Sequence, residues 1–172
     1  ASQPISFIPA EKQGRTVLGL LVDENSNKLY AAFWHFRSFN QKIPAQLKSF
    51  DLKTGKLLNV FNYPKGAIGN DLTIDGKGNI YSTCSFTHQI FRLKAGGNNL
   101  EVWSNDSTLS AGWIKGFSLN GIVWNGKNSI YVTRTDNDGF YRITINSDGS
   151  AGVVQQISVS EKLKNLGYDG IA

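Results

Sequence analysis

The segment NDLTIDGKGNIYSTCSF (70–86) decides how this chain is read. Its first residues alternate apolar and polar, an Asp-Gly-Lys-Gly-Asn cluster interrupts them, and a β-branched and aromatic run follows. That is a strand, a tight turn and a second strand. The pattern recurs as LGLLVDENSNKLYAAFW (18–34) and as NGIVWNGKNSIYVTRT (120–135). The three superimpose without gaps, and Tyr30, Tyr81 and Tyr131 recur at intervals of 51 and 50 residues. A period near 50 is the size of a propeller blade.

Each unit continues into a third strand, KSFDL (48–52), QIFRL (89–93) or FYRIT (140–144). A turn follows at 53–56, 95–98 or 146–149, then a fourth strand, LLNVFNYP (57–64), LEVWSND (100–106) or GVVQQISVS (152–160). Four antiparallel strands in every 50 residues predict an all-β chain of β-propeller blades. We expect one partial propeller domain over 1–172, with blades at 18–66, 67–116 and 117–166. The closing YDGIA (168–172) repeats the start of LNGIVW, so 167–172 reads as the first strand of a fourth blade. Helical apolar spacing occurs only weakly, at 160–166. Propellers close with about four to eight blades. The expectation is therefore a piece of a longer chain, or a homodimer of three-blade halves closing a ring of six.

Composition narrows the function classes. The 172 residues hold 18 Lys and Arg against 13 Asp and Glu, a mild +5, and 40% are hydrophobic, enough for a core. The longest apolar run, Val17 to Val22, is far too short for a membrane-spanning helix, which needs about 20 residues. Lysines are scattered among turns and aromatics alternate as core positions, so nucleic-acid binding has no support. A single Cys84 excludes an internal disulfide, and with His88 it provides too few ligands for a zinc site. Two His and no Gly-x-Ser-x-Gly elbow leave a serine-hydrolase triad without support. The chain begins Ala1-Ser2-Gln3-Pro4 without Met. We expect a processed or trimmed N-terminus, compatible with a lost leader and a secreted or periplasmic location.

In a propeller the innermost strand of every blade starts at one rim of the central channel. Here those starts are Leu18-Gly19, Asn70-Asp71, Asn120-Gly121 and Asp169-Gly170. Convergent Asn and Asp oxygens from neighbouring blades are what a hard divalent cation requires. The same residue types also cap turns, and spacing alone leaves both readings open.

The sequences GNDLTIDGKGNIY, LNGIVWNGKNSIYVT and YDGIA resemble successive blades of the gluconolactonase and regucalcin (senescence marker protein) family of six-bladed propellers. The resemblance spans about 18–172 in short, degenerate motifs. It implies that Asn120 and Asp169 bind a divalent metal, and that Asn70 contributes to its water shell or to substrate binding. Asp169 would also be the catalytic acid or base of lactone hydrolysis. Calcium is the implied metal, with zinc, magnesium or manganese as alternatives, and the implied substrate is a small lactone or ester. The family's metal-binding Glu has no counterpart in this stretch, where Leu18 stands at the first blade's equivalent place. The family's substrate Arg is replaced by Ile68.

The first unit is ten residues longer than the others, because FWHFRSFNQKIPAQ (33–46) is inserted between its second and third strands. This insertion overhangs the rim of Asn70, Asn120 and Asp169. An aromatic and basic loop with Trp34, His35, Arg37 and Phe39 is either a lid over an anionic substrate or a loop packed on its neighbouring blade. Asp71, beside Asn70, joins Trp34, His35 and Arg37 in the expected substrate-facing group. The two functional expectations are a metal-dependent hydrolase of a lactone or small ester, and a non-catalytic propeller that binds a partner.

Overall fold

The computed structural model describes residues 6–9, 14–35, 43–110, 118–135, 139–160 and 170–171. Of the expected helical stretch at 160–166 and the fourth-blade start at 167–172, only 160, 170 and 171 are among them. Asp169, Arg37 and Phe39 lie outside them as well.

The described strands form three antiparallel sheets of four, each with its strands in chain order. The first holds β1 (Thr16–Asp23), β2 (Lys28–Trp34), β3 (Gln46–Asp51) and β4 (Leu57–Asn62). The second holds β5 (Gly69–Ile74), β6 (Ile80–Cys84), β7 (Ile90–Leu93) and β8 (Leu100–Ser104). The third holds β9 (Leu119–Trp124), β10 (Ser129–Arg134), β11 (Gly139–Ile145) and β12 (Ala151–Ile157). The first strand of each sheet meets its counterpart in the next, so β5 lies between β1 and β9. This is the inner-strand arrangement of neighbouring propeller blades.

The turns explain the hairpins. Asp75 Oδ1 accepts from the Lys77 and Asn79 backbone N–H groups at 2.9 Å each. Asn125 Oδ1 repeats this with Lys127 and Ser129 at 3.0 Å each. Such Asx turns close the chain through neighbours in sequence.

Register corrects the gapless alignment. Leu21 pairs with Tyr30, Thr73 with Tyr81 and Val123 with Tyr131, so the first connection is one residue longer than the others. Leu18, Asn70 and Asn120 each lie three residues before those paired positions and are structurally equivalent. The additional residue is absorbed in the turn between Asp23 and Lys28.

The core lies between the sheets. Trp34, Leu47, Phe61 and Tyr63 meet Leu72, Ile80, Phe91 and Leu93 at the first boundary. Tyr81, Ile90 and Trp103 meet Leu119, Ile130, Val132 and Tyr141 at the second. Burying each such side chain contributes roughly 1.5–3 kcal/mol before entropy is counted. Rings set edge to face, Tyr81 on Trp103 at 4.8 Å and Tyr63 on Phe91 at 5.5 Å, add directionality. The far side of the first sheet carries a smaller cluster of Ala31, Phe33 and Phe50, against which Ile8 packs.

Candidate functional site

The rim is built by two repeated hydrogen-bond ladders. In the second blade Asn70 Nδ2 donates to Ser85 Oγ at 2.6 Å, and the Asp71 N–H donates to Thr83 Oγ1 at 3.2 Å. In the third blade Asn120 Nδ2 donates to Thr135 Oγ1 at 3.0 Å, and the Gly121 N–H donates to Thr133 Oγ1 at 2.9 Å. Each Asn is tethered to a hydroxyl fifteen residues on, across the mouth of its hairpin. Because the amide N–H is committed, the Oδ1 is the free end of each side chain. Neither Oδ1 accepts a hydrogen bond among the described residues, and both Asn are half-buried.

In the first blade the ladder is absent. Leu18 stands at the Asn position and Trp34 at the hydroxyl position, and both belong to the first core cluster. Trp34, expected in the inserted loop, instead ends β2 and is buried, with its ring edge-on to Phe86 at 5.5 Å. The insertion is correspondingly shorter than 33–46, because Phe33 pairs with Gln46 across β2 and β3. Trp34 therefore forms a wall beside the rim rather than a lid. His35 follows it, half-buried, and its Nδ1 is shielded from solvent without a partner among the described residues. Arg37, the other basic member of the expected group, lies outside the described residues.

Asp71 sits at the rim as expected, but its carboxylate serves the fold. Oδ1 accepts from the Leu72 N–H at 2.9 Å, and Oδ2 accepts from the Ile122 N–H of the next blade at 3.1 Å. Thr83 Oγ1 donates to the Asn120 carbonyl at 2.5 Å and Ser85 Oγ to the Leu119 carbonyl at 3.0 Å. These bonds fix the backbone of Asn120 relative to that of Asn70. On the other side the backbone of β1 approaches closely. A Cβ at Gly19 would collide with the Asn70 carbonyl oxygen and lie 3.0 Å from Asp71 Cα.

Sequence reasoning missed Ser85, Thr135 and Ser118. The signal for the first two was a hydroxyl residue at the same offset from each Asn. Ser118 is buried between them: its N–H donates to the Ser85 carbonyl at 2.8 Å and its carbonyl accepts from Thr135 at 3.0 Å. Its Oγ has no partner among the described residues. No group of three His, Cys, Asp or Glu converges among the described residues. Among the described residues a cation at this rim would thus draw on amide oxygens and water, a hard-ligand set suited to calcium or magnesium rather than zinc.

No family model matches the chain, and no curated protein matches it. Solved structures do. A catalytically inactive virginiamycin B lyase from Staphylococcus aureus, with quinupristin, is similar at TM-score 0.63 and 18% identity over 94% of this chain and 46% of that one. A 6-phosphogluconolactonase-like protein from Bacteroides uniformis is similar at TM-score 0.57 and 20% identity, over 88% of this chain and 45% of that one. A chain of a nidogen/laminin complex is similar at TM-score 0.60 and 17% identity, over 84% and 49%. The chain spans about half the length of each. At these identities the likeness speaks to fold alone. Three four-stranded antiparallel sheets with adjacent inner strands, matched by propeller structures, establish this chain as a run of β-propeller blades.

Proposed function

We propose that the rim carrying Asn70 and Asn120 holds a divalent cation, calcium in the first instance, and serves hydrolysis of a lactone or small ester. The observation that supports it is the matched tethering of the two amides, which leaves two carbonyl-type oxygens free at equivalent places on adjacent inner strands. Neutral amide oxygens alone bind such an ion weakly, and the carboxylate of Asp169 would complete the set. When bound, the cation supplies polarisation of the substrate carbonyl and stabilisation of its developing negative charge. Asn70 and Asn120 hold position, Ser85 and Thr135 orient them, and Asp169 takes a proton from the attacking water. Trp34 and Phe86 provide an apolar wall beside the reacting group.

A second reading is a binding propeller without catalysis. It is favoured by Asp71, Thr83 and Ser85, whose polar groups at the rim are all engaged in joining the second blade to the third. One experiment separates the two: calcium titration and turnover of a six-membered sugar lactone, in the wild type and in Asp169→Ala and Asn120→Ala. The hydrolase reading expects turnover lost in Asp169→Ala and calcium affinity lowered in both, on the order of tenfold or more. Turnover and calcium binding unchanged in both variants would leave only the binding reading.

A further inference from the structure

The opposite rim, where the β1–β2 and β3–β4 turns lie, carries a cleft of about 270 Å³ between the first two sheets. Its lining reflects a difference between equivalent positions. Tyr81 pairs with Arg92 across β6 and β7, and Arg92 pairs with Glu101 across β7 and β8. Arg92 and Glu101 form an ion pair at 2.5 Å that fills this place in the second blade. In the first blade the same register puts Tyr30 opposite Ser49 and Ser49 opposite Asn59. A guanidinium and a carboxylate are replaced by a hydroxyl and an amide, and the cleft extends down to Tyr30, Ser49 and Asn59.

The longer first turn adds a second difference. The Tyr81 hydroxyl donates to Asp75 Oδ2 at 3.0 Å. Asp23 holds the equivalent place in the first blade, but Ser26, within the turn that carries the additional residue, donates to it through both its N–H and its hydroxyl. The Tyr30 hydroxyl consequently has no hydrogen-bond partner among the described residues and faces the cleft. Burial, then the nearby charge of Asp23, raises its pKa above the ordinary phenol value, so it stays a donor. Asp23, Tyr30 and Ser49 are each more than nine-tenths buried and line the cleft, so the polar groups are set in place before any ligand arrives.

We propose that this cleft binds a neutral, polyhydroxylated ring of monosaccharide size. The volume lies just below that of drug-sized pockets, which begin at about 300 Å³. Of the charged lining residues, Asp23 and Lys28 offset one another and the exposed Lys94 lies 3.2 Å from Glu101, so no cluster of like charge calls for an ionic ligand. Donors and acceptors stand on one side: the Tyr30 hydroxyl, the Asp23 carboxylate and the Asn59 amide. Phe61, Ile80 and Leu93 line the same cleft with apolar surface for the C–H face of a ring. The boundary between the second and third sheets also has a cleft, but neither Tyr81 nor Arg92 lines it.

The test is saturation-transfer NMR with D-glucose, D-galactose and D-mannose, and with glycine as a zwitterionic counter-probe. Wild-type protein is expected to bind at least one of the sugars with a Kd on the order of millimolar. Tyr30→Phe removes a hydroxyl that has no partner in the fold and should weaken binding about five-fold, the loss of one hydrogen bond. Ala95→Trp, at an exposed position on the mouth, should abolish it. Asn120→Ala, at the opposite rim, should leave it unchanged; circular dichroism checks that all variants fold. No signal from any sugar, a signal unaffected by both cleft variants, a signal lost in Asn120→Ala, or a signal from glycine alone would each overturn the proposal.

Discussion

The carboxylate of Asp71 in β5 accepts the backbone N–H of Ile122 in β9, 3.1 Å away across the boundary between two blades. No β-ladder joins these inner strands, so side-chain bonds of this kind supply the polar connection that backbone pairing does not. Thr73 Oγ1 repeats the device two residues on, accepting from the Trp124 N–H at 3.0 Å. Blade packing is thus apolar through its depth and polar along its inner line.

Asp71→Ala should cost about 2 kcal/mol, because it leaves the Leu72 and Ile122 N–H groups without their acceptor in a place water barely reaches. Asp71→Asn keeps one acceptor and should lose less. Urea denaturation of the three proteins measures both. Equal stability of wild type and Asp71→Ala would show that the strap contributes nothing.

Gly19→Ala should destabilise by about 3 kcal/mol, the upper end of overpacking losses. The atoms that its Cβ would meet, the Asn70 carbonyl and Asp71 Cα, are backbone and cannot swing aside. Thermal melting provides the readout, and a loss below about 1 kcal/mol would mean that β1 and β5 separate freely at the rim.

Acid and alkaline limbs of stability should both involve the Asp75–Tyr81 pair. Burial alone would raise the Asp75 carboxyl, but bonds from Asn79, Tyr81 and the Lys77 N–H outweigh it and hold the pKa below 3.8. A depressed folded value means that this contribution is complete above the unfolded value and is lost as pH falls through the folded one. For Tyr81, burial and then the Asp75 charge push the phenol from 10.0 up to about 12. Its contribution is complete below 10 and is lost as pH rises toward about 12. Asp75→Asn should flatten the acid limb and let one tyrosine ionise earlier in an ultraviolet titration. A titration curve identical to wild type would contradict the coupling.

Ser85→Ala and Thr135→Ala each release one amide at the rim of Asn70 and Asn120. If Asn70 and Asn120 act as ligands, each variant should lower calcium affinity on the order of tenfold, and Ser85→Ala, which also loses its bond to the Leu119 carbonyl, should melt lower than wild type. The pair Ser85→Thr and Thr135→Ser keeps the hydroxyls and should restore binding. Affinity lost equally in the conservative pair would show that packing, and not the hydroxyl bond, is what matters.

The blade repeat was readable because its determinants are local. Alternating apolar residues and Asp or Asn turn residues act within about five positions of one another, and Asp75 and Asn125 close their turns with neighbours in sequence. The equivalence of Asn70 and Asn120 followed from the same repeat. What each rim side chain does was not readable. Asp71 looked like a substrate-facing acid until Ile122, fifty-one residues on, was found at its Oδ2. Trp34 looked like part of a loop until register placed it in β2 opposite Thr16, at the place of Ser85 and Thr135.

By itself, then, the sequence determined the class of the fold, the strand order within each blade and the side of each strand that is apolar, since period-two patterning and turn chemistry belong to short segments. Only the tertiary structure decided which groups remain free. One additional residue in the first turn hands Asp23 to Ser26 and leaves the Tyr30 hydroxyl open, while Tyr81 keeps its Asp75. Ser49 and Asn59 line the first cleft, whereas Arg92 and Glu101, at the same register in the second blade, pair with each other and stay out of the next one. Such differences depend on strand register and on the packing of one sheet against the next, and those distances are set between residues far apart in the chain.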